Sequence, residues 1–148
     1  MSRRSAQLSA ARDDIRAKGL RATPARVATL VMLREASSPI THAEVAARLR
    51  EDGVDKATAF RNLNDMTSAG LVRRTELGDH VYRFEQVSPG ELPTESHPHF
   101  LCTVCGVVSC MEDVELTIGS LREATRVGEV FDILLRGRCN ECKRKADG

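Results

Sequence analysis

Apolar residues recur every three or four positions through most of the first half of the chain, which is the spacing of one helical face. Residues 7–18 show this pattern and predict a first helix. Thr23 followed by Pro24 is an N-cap with proline at the first helical position, and it predicts a second helix that ends before Ser37. The apolar positions that these two helices would bury are Leu8, Ala11, Ile15, Val27, Leu30, Val31 and Leu33.

Two further helices are marked by their capping residues. Thr41 with Glu44 three positions later forms a capping box at the start of a third helix. Asp55 is placed to cap a fourth helix over residues 56–68, and Gly70 ends it. The fourth helix would bury Ala59, Leu63 and Met66.

The pattern then changes from helical spacing to runs typical of strands. Residues 71–76 and 80–85 predict two strands, joined by a turn at Gly78 and Asp79. Helices followed by a two-stranded wing predict a winged helix-turn-helix, in which the fourth helix is the recognition helix. His80 would lie at the tip of the wing, near DNA.

The polar face of the fourth helix favours DNA binding. Arginine and asparagine are the side chains that hydrogen-bond guanine and adenine edges in the major groove. The alternative interpretation is a solvated polar face on a small helical bundle. The side chains predicted to be exposed on this face are Lys56, Thr58, Arg61, Asn62 and Asn64.

The second half predicts a smaller domain of mixed structure. Its predicted strands are residues 100–103, 107–111 and 130–135, with a helix over 113–126. The predicted fold class is therefore α+β: a winged helix-turn-helix domain (1–86), a linker (87–96) and a small α/β dimerisation domain (97–148). An open sheet edge and an apolar helix favour pairing of this domain with a second copy, and a homodimer would supply two DNA half-sites.

Two Cys-x-x-Cys pairs are the strongest chemical signal in the sequence. Cys102 and Cys105 form the first pair, and Cys139 and Cys142 the second, with 33 residues between them. Each pair puts two sulfurs on one tight turn, so two pairs can surround a tetrahedral Zn²⁺. Four thiolates leave no position for a substrate water, so the predicted site is structural. The alternative is two redox-active or merely buried cysteine pairs.

Composition and charge add the cellular setting. The chain has no apolar run long enough to cross a membrane, and its first residues lack the apolar region of a secretory signal. Both points favour the reducing cytoplasm, where paired cysteines bind metal rather than form disulfides. Net charge is +1, but residues 1–86 carry an excess of four positive charges and residues 87–148 an excess of three negative charges. The first half is therefore the candidate for phosphate contact.

Motifs spread from about Leu20 to Cys142 together resemble the ferric uptake regulator (Fur) family of bacterial metal- and peroxide-responsive repressors. They are Leu20-Arg21-Ala22-Thr23-Pro24-x-Arg26, Ala57-Thr58-Ala59-Phe60-Arg61-Asn62-Leu63, Ala69-Gly70-Leu71-Val72, His97-x-His99-x-x-Cys102-x-x-Cys105-Gly106 and Gly137-x-Cys139-x-x-Cys142.

The resemblance implies a dimeric repressor of promoter DNA that is not an enzyme. It implies that the four paired cysteines bind structural Zn²⁺. It also places Glu85, His97 and His99 among the ligands of a regulatory divalent metal held between the two domains. Arg61 and Phe60 fall on residues that face DNA in the family, and Arg21 falls on a basic residue directed at the minor groove.

Three positions depart from the family pattern. Phe60 replaces a tyrosine but keeps a ring face for a thymine methyl. Pro39 stands where the family usually has a histidine, and His42 is a candidate to replace it as a ligand. The alternative for His42 is an exposed residue in the first turn of its helix. Cys110 occupies a position often held by a regulatory carboxylate; its thiolate would favour Zn²⁺ over Mn²⁺, and somewhat over Fe²⁺. The alternative for Cys110 is a small buried residue at a strand end.

Three other functions fit parts of the sequence. One is a peroxide-sensing repressor of the same family, in which bound iron oxidises His97 or His99. Another is a zinc nucleoside deaminase, because His42-Ala43-Glu44 and a later Cys-x-x-Cys resemble its signature, although Leu101 and Arg138 stand where that signature needs proline. The last is a zinc-containing protein-interaction module without DNA binding.

Overall fold

The computed structural model describes residues 2–88, 98–111, 113–130 and 132–148, and these residues form two compact units. Unit 1 spans residues 1–93 and unit 2 spans residues 94–148. The boundary between them falls among residues outside the described ranges, as does most of the predicted linker. No helix in the described ranges is long and apolar enough to span a membrane.

Unit 1 consists of four helices and a small antiparallel sheet around one apolar core. The core is formed by residues from all four helices and from the sheet, with Ile15, Leu30, Val45, Leu63 and Met66 at its centre. The helices are α1 (Arg3–Ala17), α2 (Pro24–Glu35), α3 (His42–Leu49) and α4 (Lys56–Ser68), and a 3-10 turn covers Arg50–Asp52. The strands are β1 (Ile40–Thr41), β2 (Val72–Glu76) and β3 (Tyr82–Gln86).

Side-chain caps begin α2, α3 and α4 where the sequence predicts them. Thr23 accepts the Arg26 amide, Thr41 and Glu44 form a reciprocal capping box, and Asp55 accepts the Thr58 amide. The first helix begins earlier than predicted, because the Ser2 side chain caps it and accepts the Ser5 amide. Its first turn has no apolar residue larger than Ala6, so hydrophobic spacing gave no sign of it.

The wing is a three-stranded sheet rather than the predicted two-stranded one. Its strand order is β1-β3-β2, and both pairings are antiparallel. Strand β1 is only two residues long and pairs Ile40 with Phe84, a partner far along the chain. So short a strand has no pattern of its own and forms only because β3 offers it a free edge. The turn before β3 includes His80 in the left-handed region, at φ 60°.

Unit 2 contains a three-stranded sheet with the order β5-β4-β6. Strand β4 pairs antiparallel with β5 and parallel with β6. The strands are β4 (His99–Cys102), β5 (Val108–Cys110) and β6 (Leu134–Gly137), and the helices are α5 (Ile118–Val127) and α6 (Asn140–Asp147).

Strands β4 and β5 lie within one or two residues of their predicted positions, whereas α5 and β6 begin four or five residues later than predicted. The helix predicted from residue 113 begins at Ile118, because Thr117 is extended and caps it through the Ser120 amide. The last strand lies at Leu134–Gly137 rather than 130–135. The helix α6 was not predicted, since its highly charged sequence has no apolar stripe.

Helix α5 leaves its apolar side chains exposed. None of its described residues is buried, and Ile118 and Val127 are 71% and 78% exposed. Leu121 on the same helix and Leu135 on β6 are exposed as well. An open apolar helix face of this kind is typical of a protein–protein interaction surface.

The cap of α4 leads to a stability prediction. Hydrogen bonds from Thr58 lower the pKa of the Asp55 carboxyl from its ordinary 3.8. Stability from this cap is thus fully present above pH 3.8 and is lost as the pH falls through the lower folded pKa. We expect Asp55→Ala to lower the melting temperature by a few degrees at neutral pH.

The measurement is thermal unfolding followed by helical circular dichroism between pH 3 and 7. The difference between wild type and Asp55→Ala should shrink at the acidic end. Asp55→Asn is the matched control, because an asparagine caps a helix without a titrating charge. An Asp55→Ala protein that melts with the wild type at neutral pH would contradict the prediction.

Candidate metal centre and nucleic-acid interface

The parallel pairing of β4 with β6 brings the two Cys-x-x-Cys turns of unit 2 side by side. Cys102 is the last residue of β4 and its strand partner is Gly137, two residues before Cys139. The Thr103 amide donates to the Gly137 carbonyl at 2.9 Å, which continues the ladder into the first turn. Gly106 closes that turn at φ 77°, a conformation that favours glycine.

The four sulfurs form one cluster. The Sγ atoms of Cys102, Cys105, Cys139 and Cys142 all lie within 4.8 Å of one another, and those of Cys105 and Cys139 are 3.8 Å apart. A tetrahedral zinc with Zn–S bonds of about 2.3 Å places its sulfurs about 3.8 Å apart. The donor set and its spacing therefore fit Zn²⁺, and the four thiolates complete its coordination. The predicted zinc ligands are brought together as the sequence suggested.

Backbone amides prepare the cluster for a cation. Hydrogen bonds from the amides of Cys105 and Cys139 lower the pKa of the Cys102 thiol to about 6. The neighbouring Cys139 sulfur, together with burial, raises the pKa of Cys142 to about 12. Without metal the cluster thus holds thiolate and thiol together, and a divalent ion displaces the remaining protons.

His99 and Cys110, two of the residues predicted to bind the regulatory metal, are direct partners across the β4–β5 ladder. His99 is fully buried and Cys110 is half-buried. The register places both at the same end of the sheet in unit 2. His97, the third candidate in this half of the chain, lies outside the described residues.

Glu85, the candidate ligand in unit 1, lies on β3 opposite Arg73 on β2. The two side chains form an ion pair at 3.4 Å, and both residues are almost completely buried. The guanidinium compensates the carboxylate charge, which would otherwise be costly at a buried position.

His42, the remaining candidate ligand, lies against the recognition helix α4. Its Nε2 atom is 3.1 Å from the Lys56 carbonyl oxygen, and its ring centroid is 5.2 Å from that of Phe60. Its neighbour Glu44 accepts the Thr41 amide in the capping box. That contact gives the His-Ala-Glu sequence a structural role, which weakens the comparison with deaminases.

Four of the five α4 residues predicted to bind DNA are accessible on that helix. Lys56, Phe60 and Arg61 are exposed, with Phe60 at 49%, and Thr58 is partly exposed. The prediction that Asn62 is exposed was wrong: it is 6% exposed, on the side of the helix that holds Leu63 and Met66. At 3.6 residues per turn it follows Ala59 on the inner face, a position that its polarity disguised.

Arg21 is exposed just before α2 and belongs to a network that sequence reasoning missed. Arg26 donates to the Arg21 carbonyl at 2.6 Å and forms an ion pair with Asp65 at 2.7 Å. It thereby links the start of α2 to α4. Its place in the Leu20–Arg26 motif was the signal available in the sequence. Beside it, a cleft of about 480 Å³ is lined by residues that include Thr23, Arg26, Thr58, Arg61, Asn62 and Asp65.

The wing carries a second basic feature that was not predicted. The guanidinium of Arg74 stacks over the exposed ring of Tyr82, 4.6 Å from its centroid. The two residues lie on adjacent strands, β2 and β3. The stack orients a positive charge on the exposed surface of the wing, which is the type of side chain that contacts DNA phosphates.

Comparison with known proteins gives a consistent result. The model of the Ferric uptake regulator family matches residues 17–128. The chain is 33% identical over 106 residues to Ferric uptake regulation protein 1 of Mycolicibacterium fortuitum, covering 71% of this chain and only 61% of that relative. It is 30% identical over 146 residues to the peroxide-responsive repressor PerR of Staphylococcus saprophyticus, covering 94% of this chain and 93% of the relative.

A solved structure shares the fold. The Vibrio cholerae ferric uptake regulator superposes with a TM-score of 0.67 at 23% sequence identity, covering 86% of this chain and 98% of that one.

The cysteine cluster predicts how zinc responds to substitution. We expect Cys102→Ser to remove one tightly held equivalent of zinc per chain, because a serine hydroxyl is a much poorer ligand than a thiolate. Unit 2 should then lose its cooperative unfolding transition or its self-association. Metal analysis of the dialysed protein measures its zinc content, thermal melting follows the unfolding transition, and sedimentation measures self-association.

Cys110→Ser is the matched control, since it also removes one thiol but lies outside the cluster of four. It should retain the tightly held zinc. Full zinc content in Cys102→Ser, or equal loss from both variants, would rule out the four-thiolate site.

Proposed function

Because the chain belongs to the ferric uptake regulator family, we propose that it is a metal-responsive transcriptional repressor that binds promoter DNA as a homodimer in the cytoplasm. Structural Zn²⁺ is held by the four-cysteine cluster. A second, exchangeable divalent ion controls DNA binding. The observation that carries the proposal is the combination in one chain of an exposed recognition helix in unit 1 with a cluster of four cysteine sulfurs in unit 2.

Unit 1 supports the DNA-binding part of this proposal. Helix α4 presents Lys56, Phe60 and Arg61 on its accessible side, next to a wing that exposes the Arg74–Tyr82 stack. Arginine suits guanine edges, the aromatic ring suits a thymine methyl, and the lysine suits a phosphate. Arg21, at the start of α2, adds a basic group for the proposed minor-groove contact.

Unit 2 supports the dimer. The exposed apolar face of α5 and the exposed Leu135 of β6 provide a surface that a second copy of the same domain would bury. A two-fold dimer would present two copies of α4 to two DNA half-sites.

We assign the regulatory metal to Glu85, His97, His99 and Cys110. His99 and Cys110 are supported by their pairing across β4 and β5. The proposed ligands come from both halves of the chain, so an ion bound by all of them would couple metal affinity to DNA affinity by equal factors in each direction. The thiolate of Cys110 favours Zn²⁺ or Fe²⁺ over Mn²⁺. His42 is the fifth candidate ligand.

The second candidate function is peroxide sensing. The similarity to the S. saprophyticus peroxide-responsive repressor, which extends over 94% of this chain, favours it. In that function, iron bound by His97 or His99 would promote oxidation of the histidine ring. Cys110 would favour zinc and so favours the metal-sensing alternative.

Metal titration tests the proposed repressor. We expect divalent metal to raise the affinity of the zinc-loaded wild-type dimer for its operator by about 10- to 100-fold. Titrating Zn²⁺, Fe²⁺ and Mn²⁺ in separate gel-shift series identifies the effective ion. The His97→Ala/His99→Ala variant should keep its structural zinc and its fold, and its DNA affinity should no longer change with metal.

His80→Asn, which removes a wing histidine with a residue that tolerates the left-handed backbone at this position, is the matched control and should keep the metal response. Undiminished metal dependence in the double variant would refute the ligand assignment. Failure of the wild type to bind any duplex, with or without metal, would refute the repressor itself.

Peroxide exposure separates the two candidate functions. If the protein is a metal sensor, iron-loaded protein treated with hydrogen peroxide should show no peptide in which His97 or His99 gains an oxygen atom. The measurement is peptide mass spectrometry, with zinc-loaded protein as the control. Stoichiometric oxidation of either histidine, accompanied by loss of DNA binding, would establish the peroxide sensor instead.

A further inference from the structure

His42 makes two separate contacts with one turn of the recognition helix. Its Nε2 atom is 3.1 Å from the carbonyl oxygen of Lys56, the first residue of α4. Its ring lies 5.2 Å from the ring of Phe60, at an interplanar angle of 59°. Lys56 and Phe60 are four residues apart and therefore lie on the same face of the helix. His42 thus touches that face at both ends of a single turn.

The hydrogen bond fixes the state of the imidazole. A carbonyl oxygen can only accept, so Nε2 must carry the proton and donate it. In the neutral ring this leaves the lone pair on Nδ1. A metal ion binds imidazole through a lone pair, so His42 could become a ligand through Nε2 only by giving up its contact with α4. Through Nδ1, by contrast, His42 could bind a metal while keeping this contact, so the hydrogen bond gives the ring a role in unit 1 without excluding it as a ligand.

The ring contact restricts a side chain that would otherwise be mobile. Phe60 is 49% exposed, and a large exposed ring samples several rotamers in water. The centroid distance and tilt match the favourable arrangement of aromatic pairs. His42 therefore favours one orientation of the Phe60 ring while half of that side chain stays open to solvent, on the helix that carries Arg61.

We propose that His42 is a positioning residue for DNA recognition: it holds Phe60 in the orientation in which its ring contacts a thymine methyl group in the major groove. The inference rests on the proposed function, since it presupposes that α4 enters the major groove. It is an alternative to the ligand role that the sequence suggested for His42. The chemistry recognised is the 5-methyl group of a pyrimidine, which offers an apolar contact to an aromatic side chain.

The test begins with a duplex selected from a random pool by wild-type protein. Each thymine is then replaced in turn by uracil, which lacks only the methyl group. At one position per half-site we expect wild-type affinity to fall about three- to tenfold. If no duplex is selected, the proposed function fails. If a duplex is selected but its affinity is the same with uracil at every position, only the inference is overturned.

Substitutions of His42 and Phe60 then test whether these two residues are responsible for the methyl contact. His42→Ala should bring the thymine-to-uracil affinity ratio at that position close to one, as should Phe60→Ala. The double variant should lose no further discrimination, because the two residues act as one unit. His42→Phe, which keeps a ring without the hydrogen bond, should retain part of the ratio. The Thr41–Glu44 capping box is untouched in all of them, and thermal melting checks the fold.

His80→Asn is the matched control and should keep the wild-type ratio, because His80 lies in the wing turn at a φ of 60° that asparagine tolerates. The midpoint of metal activation should be the same in His42→Ala and wild type. An unchanged thymine-to-uracil ratio in His42→Ala would overturn the proposal. If the unchanged ratio were accompanied by a large shift in the midpoint of metal activation, His42 would instead be identified as a metal ligand.

Discussion

The parallel pairing of β4 with β6 is the interaction on which unit 2 depends. It brings Cys102 next to Gly137, and hence both sulfur pairs into one cluster. Among the described residues of this unit apolar burial is small: α5 buries none of them, and the buried apolar side chains include Leu101, Cys102 and Val108. The sulfur cluster must therefore supply stability that a larger domain would obtain from its core. For such a unit, the free energy of metal binding is largely free energy of folding.

Unit 1 is built in the opposite way. Residues from all four of its helices and from its sheet enclose a continuous apolar core, and helix α4 is anchored in that core through Leu63 and Met66. Its outer side is consequently held rigidly by interactions that involve no metal. This separation allows an exchangeable ion to alter DNA affinity without melting the helix that would read the bases. The two proposed cation sites also differ in their ligands: four thiolates suit a permanently held zinc, and a mixed set suits an exchangeable ion.

The parts of the fold that depend on residues close together in sequence could be predicted, whereas those that depend on distant partners could not. The caps at Thr23, Thr41 and Asp55 act within one turn, so sequence alone placed the starts of three helices. Strand β1 depends on a distant partner and left no local pattern. Asn62 was mispredicted for a different reason. Its polarity suggested an exposed side chain, whereas its helical spacing from Ala59 places it on the buried side of α4. The zinc cluster was predictable because Cys-x-x-Cys spacing is itself local, whereas the contact of His42 with Phe60 joins two helices and required the structure.

The spacing of the cysteine sulfurs has a consequence for the protein's chemistry under oxidative stress. Cys102 has a thiol pKa of about 6 and is therefore largely thiolate at neutral pH when the ion is absent, and thiolates are the form that oxidants attack. The sulfurs of Cys105 and Cys139 are 3.8 Å apart, so an oxidant could join them in a disulfide of about 2.05 Å after a modest movement of the two side chains. A zinc ion bound by the four sulfurs would protect them from oxidation, because it occupies their lone pairs. When the ion is lost, the close spacing that favours zinc binding also favours disulfide formation, which only a reductant reverses.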